Sequence, residues 1–237
     1  MGGQFVIAGG SRGIGRELVR LLEPDADRIH VLSREMEPSP ESDKVVHHAV
    51  DFCGDNPPIR ELPKTIDGAA YCPGSITLRS FRSLGIDDFR ADLEINFLGA
   101  VKFLQAVQAG LTRRKNDDPA SVVLFSSVAA ETGLPMHSSI AAAKGAVQGM
   151  ARSLAAEWAP AVRVNCLAPA LTDTPLAARF LASPGGRETM AARYPLARTG
   201  KTADPASLAR FLLLPDSGWI TGQVIGVDGG MSSLRIS

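Results

Sequence analysis

The stretch "QFVIAGGSRGIG", residues 4–15, decides the fold that this sequence predicts. A short apolar strand is followed by a glycine-rich turn, which runs directly into apolar residues at helical spacing. Gly9, Gly13 and Gly15 fit a G-x-x-x-G-x-G turn, in which backbone N–H groups at a helix N-terminus can approach a pyrophosphate. A plain glycine-rich turn is the alternative, but the position between a first strand and a first helix favours dinucleotide binding.

Short apolar runs and longer helical patterns alternate along the rest of the chain. The runs are rich in Val and Ile and do not alternate strictly, as is typical of strands buried on both faces. This rhythm predicts an α/β fold: a Rossmann-like, doubly wound parallel sheet of about seven strands flanked by helices, in one domain over residues 1–237. The further strand runs are "RIHVLS", "KVVHHAV", "GAAYC", "SVVLFSS", "VRVNCLAP" and "GQVIGVDGG", and the long helices are predicted over residues 89–111 and 140–159.

Composition excludes several classes of protein. Lys plus Arg and Asp plus Glu both number 25 in 237 residues, which argues against a nucleic-acid or membrane-surface partner. No apolar run reaches the roughly 18 residues needed to span a bilayer. The three cysteines, Cys53, Cys72 and Cys166, fit no metal or disulfide spacing. We therefore expect a cytoplasmic protein without a metal site.

The end of the second strand predicts which nucleotide is bound. An acidic residue there would bind the adenosine ribose hydroxyls and favour NAD, but the chain has Ser33 and Arg34. Arg12 lies in the glycine turn, and arginine binds phosphate through two parallel hydrogen bonds. This pattern favours NADP(H); the alternative is that both arginines are solvated loop charges.

Six motifs in order resemble the short-chain dehydrogenase/reductase family over nearly the whole chain, and within it the 3-oxoacyl-carrier-protein reductase-like group. They are "GGSRGIG", Asp51 after the third strand, "EINFLGAVKFLQA", "VVLFSSVAA", the long stretch from "AAAKGAV" to "ALTDT", and "SGWITGQVIGVDGG". With the turn and strand-end residues above, the resemblance implies a set of NADP(H)-binding residues. The set is Gly9, Ser11, Arg12, Gly13, Ile14, Gly15, Ser33, Arg34, Asp51, Phe52, Cys72, Pro73, Gly74, Lys144, Pro169, Ala170, Leu171, Thr172 and Thr174.

The resemblance also implies four catalytic groups, of which the chain keeps three. Ser127 would orient the substrate oxygen, Lys144 would hold the ribose, and Asn96 would anchor a water. The fourth group is a tyrosine four residues before the lysine, where this chain has Ile140. Isoleucine neither donates nor accepts a proton. Further departures at the same end include "CPG" at residues 72–74, where the family has Asn-Ala-Gly.

Several residues are candidates for the missing acid. His137 lies seven residues before the lysine, the spacing of the tyrosine in related enoyl reductases, and histidine is a competent general acid near neutrality. A loop histidine bonded to backbone is an equally good interpretation. Ser138 and Ser139 are nearer but weakly acidic, and Tyr194 would have to swing in from its loop. Tyr71 fits a packing role better than a catalytic one.

Two functions from different classes follow. The first is an NADP(H)-dependent oxidoreductase that acts on a carbonyl or activated alkene, with His137 or water as the proton donor. The second is a catalytically silent NADP(H)-binding sensor or scaffold. Residues 171–200 predict a lid of short helices around "SPGG", whose scattered arginines suit an anionic or acyl small-molecule substrate. A homodimer or homotetramer through the long helices and the C-terminal segment is expected.

Overall fold

The computed structural model describes residues 2–35, 42–54, 59, 61–113, 118–183 and 185–235. Seven parallel strands form one sheet, which confirms the predicted Rossmann-like architecture. The strands are β1 (Gly3–Ala8), β2 (Ala26–Ser33), β3 (Val45–Ala49), β4 (Gly68–Tyr71), β5 (Ala120–Phe125), β6 (Val162–Pro169) and β7 (Val224–Val227). Their order across the sheet is β3-β2-β1-β4-β5-β6-β7, so the strand order reverses between β1 and β4.

Helices cover both faces of the sheet. They are α1 (Gly13–Leu22), α2 (Ile86–Leu93), α3 (Gly99–Thr112), α4 (Ser138–Trp158), α5 (Ala178–Leu181), α6 (Gly186–Ala191) and α7 (Ala203–Leu213). One core, which contains Phe103 and Trp158, lies between the sheet and the α3–α4 side. The other core, which contains Leu18 and Leu212, lies between the sheet and the α1–α7 side. Burial on both faces explains why the strand runs are continuously apolar.

The predicted helix over residues 89–111 is interrupted, which corrects the sequence-based expectation. A π-helical turn, Glu94–Leu98, lies between α2 and α3, and the N–H of Gly99 bonds to the carbonyl of Glu94 five residues earlier. The phenolic hydroxyl of Tyr71 donates to the carbonyl of Ile95 at 2.7 Å. A Cβ at Gly99 would lie 2.1 Å from that hydroxyl, so only glycine fits beneath the tyrosine. The extra residue of the π turn places Asn96, 1% exposed, toward the sheet edge.

Because all strands are parallel, their carboxyl ends lie along one edge, and the loops that leave them meet there. Residues 171–200 cross this edge after β6 and contain a short turn (Pro175–Ala177), α5 and α6. The "SPGG" hinge predicted for this segment includes Pro184, which lies outside the described residues, as do residues 36–41 of the loop after β2. Within the described ranges, no helix is long and apolar enough to cross a membrane.

Candidate active site

A cavity of about 290 Å³ opens at the carboxyl edge of the sheet. The loops after β4, β5 and β6 form its floor, and residues 171–200 form its outer wall. Its walls are largely apolar, with a few polar groups at the floor, which is typical of a small-molecule site. The apolar lining includes Ile76, Leu78, Leu134, Ile140, Leu176, Phe180 and Met190, and the polar lining includes Ser75, Ser127, His137, Lys144, Thr172 and Tyr194.

Lys144 lies at the floor of this cavity on α4 and is only 8% exposed. Its Nζ donates to the carbonyl of Phe125, at the end of β5, at 2.9 Å. Burial lowers the pKa of this amine to about 8, although nearby Cys166, Cys72 and Asp92 act in the opposite direction. A buried cation at the base of an apolar cavity is costly unless it has a ligand or a catalytic task. Its position therefore favours the cofactor interpretation over a solvated helix face.

The two serines after β5 have different surroundings. The Ser126 hydroxyl donates to the carbonyl of Lys144 at 3.1 Å and accepts from the side-chain amide of Gln148 at 3.0 Å, so it braces α4 against the strand. The Ser127 hydroxyl accepts from the N–H of Ala129 at 3.2 Å and lines the cavity. Among the described residues no group accepts the proton of this hydroxyl, which is therefore available to a ligand oxygen. The structure places the predicted substrate-orienting hydroxyl in the cavity.

Asn96 belongs to a buried polar network that the sequence analysis missed. Its side-chain amide donates to the carbonyl of Asp92 and to the Ser75 hydroxyl, both at 2.8 Å. Asp92, 1% exposed, accepts through Oδ1 from Ser75 at 2.6 Å and from Thr77 at 3.0 Å. The i, i+4 spacing of Asp92 and Asn96 on one helix face was the available signal. The network fixes the loop after β4 against the π turn and so shapes the cavity floor.

Gly74 connects this network with the lysine. A Cβ at this position would lie 3.0 Å from Oδ1 of Asn96 and 3.5 Å from Nζ of Lys144. The loop after β4 therefore passes directly between the amide and the amine. Of the predicted catalytic residues, Ser127 and Lys144 thus line the cavity, and Asn96 lies next to its wall at Gly74.

Ile140 and His137 both line the cavity at the start of α4. Ile140 is 4% exposed and precedes Lys144 by about one helical turn. His137 directly precedes the helix, and its Nδ1–H donates to the carbonyl of Pro135 at 2.7 Å. This bond leaves Nε2 as the imidazole atom available to a ligand. The backbone bond matches the loop interpretation, and the cavity position keeps the acid hypothesis open.

The chain's two tyrosines differ in environment. Tyr71 is only 2% exposed, in the core beneath α3, and its hydroxyl donates a hydrogen bond to the carbonyl of Ile95, as expected for a packing residue. Tyr194 lines the cavity, is 6% exposed, and its hydroxyl accepts from the N–H of Leu171 at 3.3 Å. Tyr194 therefore reaches the cavity already, and no swing of residues 171–200 is needed to bring it there.

The glycine turn has the geometry that a pyrophosphate requires. Gly9 has a φ of +71°, and a Cβ at Gly15 would lie 2.3 Å from the carbonyl oxygen of Gly9. The N-cap residue Arg12 makes no side-chain cap hydrogen bond, and the first turn of α1 has no acidic residue. In the described part of the chain the first N–H groups of this helix are thus not capped by the side chain of Arg12, and they favour an anionic group. The residues present therefore fit a dinucleotide.

The expected adenosine end contains one unforeseen charge. Arg12 forms an ion pair with Glu35, and the Ser33 hydroxyl donates to the carbonyl of Glu35 at 2.8 Å. Arg34 makes no hydrogen bond or ion pair with the part of the chain that the structure describes. Asp51 is exposed and accepts from the N–H of Cys53 at 3.0 Å through one carboxylate oxygen. A carboxylate therefore lies beside one of the two arginines expected to bind a 2′-phosphate.

The structure brings about half of the predicted cofactor residues into the cavity wall. The others follow β1 to β4 along the same sheet edge, where an extended dinucleotide would lie. Those in the cavity wall are Ile14, Cys72, Gly74, Lys144, Pro169, Ala170, Leu171, Thr172 and Thr174. Those along the edge are Gly9, Ser11, Arg12, Gly13, Gly15, Ser33, Arg34, Asp51, Phe52 and Pro73.

Three of the four arginines in residues 171–200 are engaged with the protein, contrary to their expected role in substrate binding. Arg179 donates to the carbonyl of Ile76 at 2.6 Å, across the cavity from its own helix. Arg187 pairs with Asp173 at 2.7 Å, and Arg198 pairs with Asp204 at 2.6 Å. Only Arg193 lines the cavity. The segment's charges therefore serve mainly to hold it in place.

Comparisons with known proteins agree with this geometry. A sequence profile described as enoyl-(acyl carrier protein) reductase matches residues 59–232. A tropinone reductase homolog of Arabidopsis thaliana is 30% identical over 96% of this chain and 78% of its own. The 3-oxoacyl-[acyl-carrier-protein] reductase FabG of Thermotoga maritima is 36% identical over 61% of this chain and 57% of its own.

Among solved structures, ElxO with NADP bound superposes with a TM-score of 0.85 at 21% identity, over 99% of this chain and 100% of that one. The fold and the glycine turn define a dinucleotide-binding domain of the Rossmann type. Together with the matches over most of the sequence, they establish that the chain belongs to the short-chain dehydrogenase/reductase family of oxidoreductases.

Proposed function

We propose that this protein is an NADP(H)-dependent oxidoreductase that reduces a carbonyl or activated alkene at an atypical active site without the usual tyrosine. The observation that carries the proposal is Lys144, an amine buried beneath an apolar cavity, with Ser127 lining the same cavity. A protein that only bound a nucleotide would gain nothing from an enclosed apolar chamber next to the nicotinamide end. A bound nicotinamide would supply the hydride.

The protein's own groups would divide the remaining work. Ser127 would orient the substrate oxygen through its available proton, and Lys144 would hold the ribose. Asn96 would steady a water at the cavity floor, where its amide is fixed by Asp92 and Ser75. His137, through Nε2, or a water would donate the proton to the product oxygen. Ile140 would exclude water from the place where other members of the family have a hydroxyl.

NADP(H) rather than NAD(H) is supported by the absence of an acidic residue at the end of β2 and by the unpaired state of Arg34 among the described residues. Glu35 opposes it, since its carboxylate engages Arg12. The NADP-bound neighbour adds support at the level of the fold. We expect NADPH to bind at least ten-fold tighter than NADH, about 1.4 kcal/mol. Fluorescence titration with both nucleotides tests this, and Arg34→Asp should remove or invert the preference.

A second function, a silent NADP(H)-binding sensor or scaffold, is favoured by one observation. Ile140 closes the cavity wall at the position where the family's acid is expected, and it carries no proton. NADPH oxidation with a panel of ketones, quinones and enoyl thioesters separates the two functions. Turnover above the rate without substrate supports the enzyme. Tight nucleotide binding without turnover on any of the three substrate types supports the sensor.

We also propose that the protein works as a cytoplasmic homodimer or homotetramer without a nucleic-acid or membrane partner. Trp219 is fully exposed and Leu234 is 59% exposed, and both lie near the C-terminal strand. Exposed large apolar side chains of this kind are enriched at protein interfaces. Light scattering combined with size-exclusion chromatography tests the assembly, and Trp219→Ser should weaken it.

A further inference from the structure

We infer that the hydroxyl of Tyr194 is a ligand-binding group, which donates a hydrogen bond to an oxygen of an apolar carbonyl compound in the cavity. This inference deepens the proposed function and rests on it for the identity of the reaction. It assigns to residues 171–200 a polar contact with the substrate, in addition to their role as the outer wall.

The first argument is the position of the side chain. Tyr194 is 6% exposed, and both it and its hydrogen-bond partner Leu171 line the cavity. The hydroxyl lies at the loop after β6, the same loop that contributes Pro169 and Ala170 to the floor. Tyr194 thus approaches the floor from the outer wall.

The second argument is the direction of the hydrogen bond. A phenol has one proton to donate and lone pairs that accept. The hydroxyl of Tyr194 accepts from the N–H of Leu171 at 3.3 Å, and the described residues include no acceptor for its own proton. A buried donor without an acceptor costs free energy, so a ligand oxygen that accepts this proton gains affinity.

The third argument is the protonation state. Burial raises the pKa of Tyr194, which keeps the hydroxyl protonated well above neutral pH. Such a phenol is a poor acid and a permanent hydrogen-bond donor. Its task is therefore to hold and polarise an oxygen, as distinct from proton delivery, which the proposed function assigns to His137 or water.

The cavity wall indicates the class of ligand. Most of the side chains that surround the space are apolar, among them Leu78, Phe180 and Met190. Such a wall favours a hydrocarbon body with its carbonyl oxygen near the polar groups, because an oxygen buried against the apolar side chains would lack a donor. Arg193, which is also among the lining residues, adds a cation to the outer wall.

The test compares two ligands that differ only in the oxygen. Calorimetry measures the binding of 4-phenylbutan-2-one and of butylbenzene. Each is titrated into the protein saturated with NADP⁺, which cannot donate a hydride, and into the protein without nucleotide. Tyr194→Phe should weaken the ketone about 3- to 10-fold and leave the hydrocarbon unchanged. Leu196→Ala is the control, because Leu196 lies two residues away from Tyr194 and is 65% exposed. This substitution should change the affinity for neither compound.

Equal changes in affinity for the ketone and the hydrocarbon on Tyr194→Phe would overturn the inference. The tyrosine would then serve only to position the main chain at Leu171. Absence of ketone binding at millimolar concentration by the unmodified protein would overturn it as well. Neither result depends on turnover. A failure of the proposed function appears separately, as ketone-selective binding that persists while the protein oxidises no NADPH.

Discussion

Tyr71 donates its phenolic proton to the main-chain carbonyl of Ile95 across 2.7 Å, and this bond ties β4 to the π turn that carries Asn96. Tyr71→Phe should lower the free energy of unfolding by about 1–2 kcal/mol, because the carbonyl loses its buried donor. Urea denaturation measures the loss. Tyr194→Phe is the matched control, and a smaller loss is expected because its hydroxyl only accepts a 3.3 Å bond. Equal losses would contradict this account of the π turn.

Glu35 should limit the affinity for NADPH. Its carboxylate pairs with Arg12 beside the expected place of the 2′-phosphate, so Glu35→Gln removes a negative charge that would repel the phosphate. We expect NADPH to bind about three-fold tighter or better, with NADH little changed. Fluorescence titration measures both. Asp87→Asn makes the same change in net charge on exposed α2 and should leave both affinities unchanged. An unaltered NADPH:NADH ratio in the Glu35 variant would refute the assignment.

Ile140→Tyr tests whether the site lacks only a proton donor. The new hydroxyl would lie in the cavity about one turn before Lys144, and the positive charge of a protonated Lys144 lowers the pKa of a nearby phenol and so favours proton transfer from it. The rate of NADPH-dependent ketone reduction should rise by roughly 10²–10⁴-fold. Ile140→Phe fills the same space without a hydroxyl and should give no gain. Identical rates in the two variants would mean that the substrate pocket has diverged as well.

Acid should destabilise the fold through the histidines of β2 and β3. His30 Nδ1 and His48 Nε2 lie 2.9 Å apart, and burial together with His48 lowers the pKa of His30 to about 4. Burial also lowers the pKa values of His47 and His48. Because histidine in the unfolded chain titrates near 6.5, the unfolded state binds more protons between about pH 6.5 and 4. The contribution of these histidines to the free energy of unfolding is therefore fully present above this window and is lost as the pH falls through it.

Protonation of His30 should lower the free energy of unfolding by at most roughly 1–3 kcal/mol, because solvent reaches part of this side chain and weakens the effect. Urea midpoints at pH 7, 6, 5 and 4 measure it. His30→Asn removes the titrating ring and should flatten the curve over this range. A slope that is the same in the variant and the unmodified protein would show that other groups control acid stability.

The sequence predicted the positions of the strands along the chain well, because buried parallel strands leave a strong local signal. The run "VRVNCLAP" coincides with β6, Val162–Pro169. The π turn escaped prediction, since one extra residue shifts the helical face without changing which residues are apolar. Asn96 was therefore placed on a regular helix, and its contact with Asp92 and Ser75 was not foreseen.

The charged contacts were the least predictable part of the site. Arg12 and Arg34 looked equivalent in the sequence, but Glu35 engages the first alone, because pairing depends on the path of the loop after β2. The same reason applies to Arg179, Arg187 and Arg198, whose partners come from other parts of the chain. The partner of a long charged side chain depends on which groups lie near it in the folded protein. Residue type and sequence spacing carry little information about this proximity.

The bond from Arg179 to the carbonyl of Ile76 joins the outer wall of the cavity to its floor, since α5 belongs to the outer wall and Ile76 to the loop after β4. A compound that passed between α5 and this loop would enter or leave only when this bond breaks. Escape of product, rather than the chemical step, would then set the steady-state rate for bulky compounds. In that case turnover slows as the solvent becomes more viscous, and Arg179→Ala relieves the dependence.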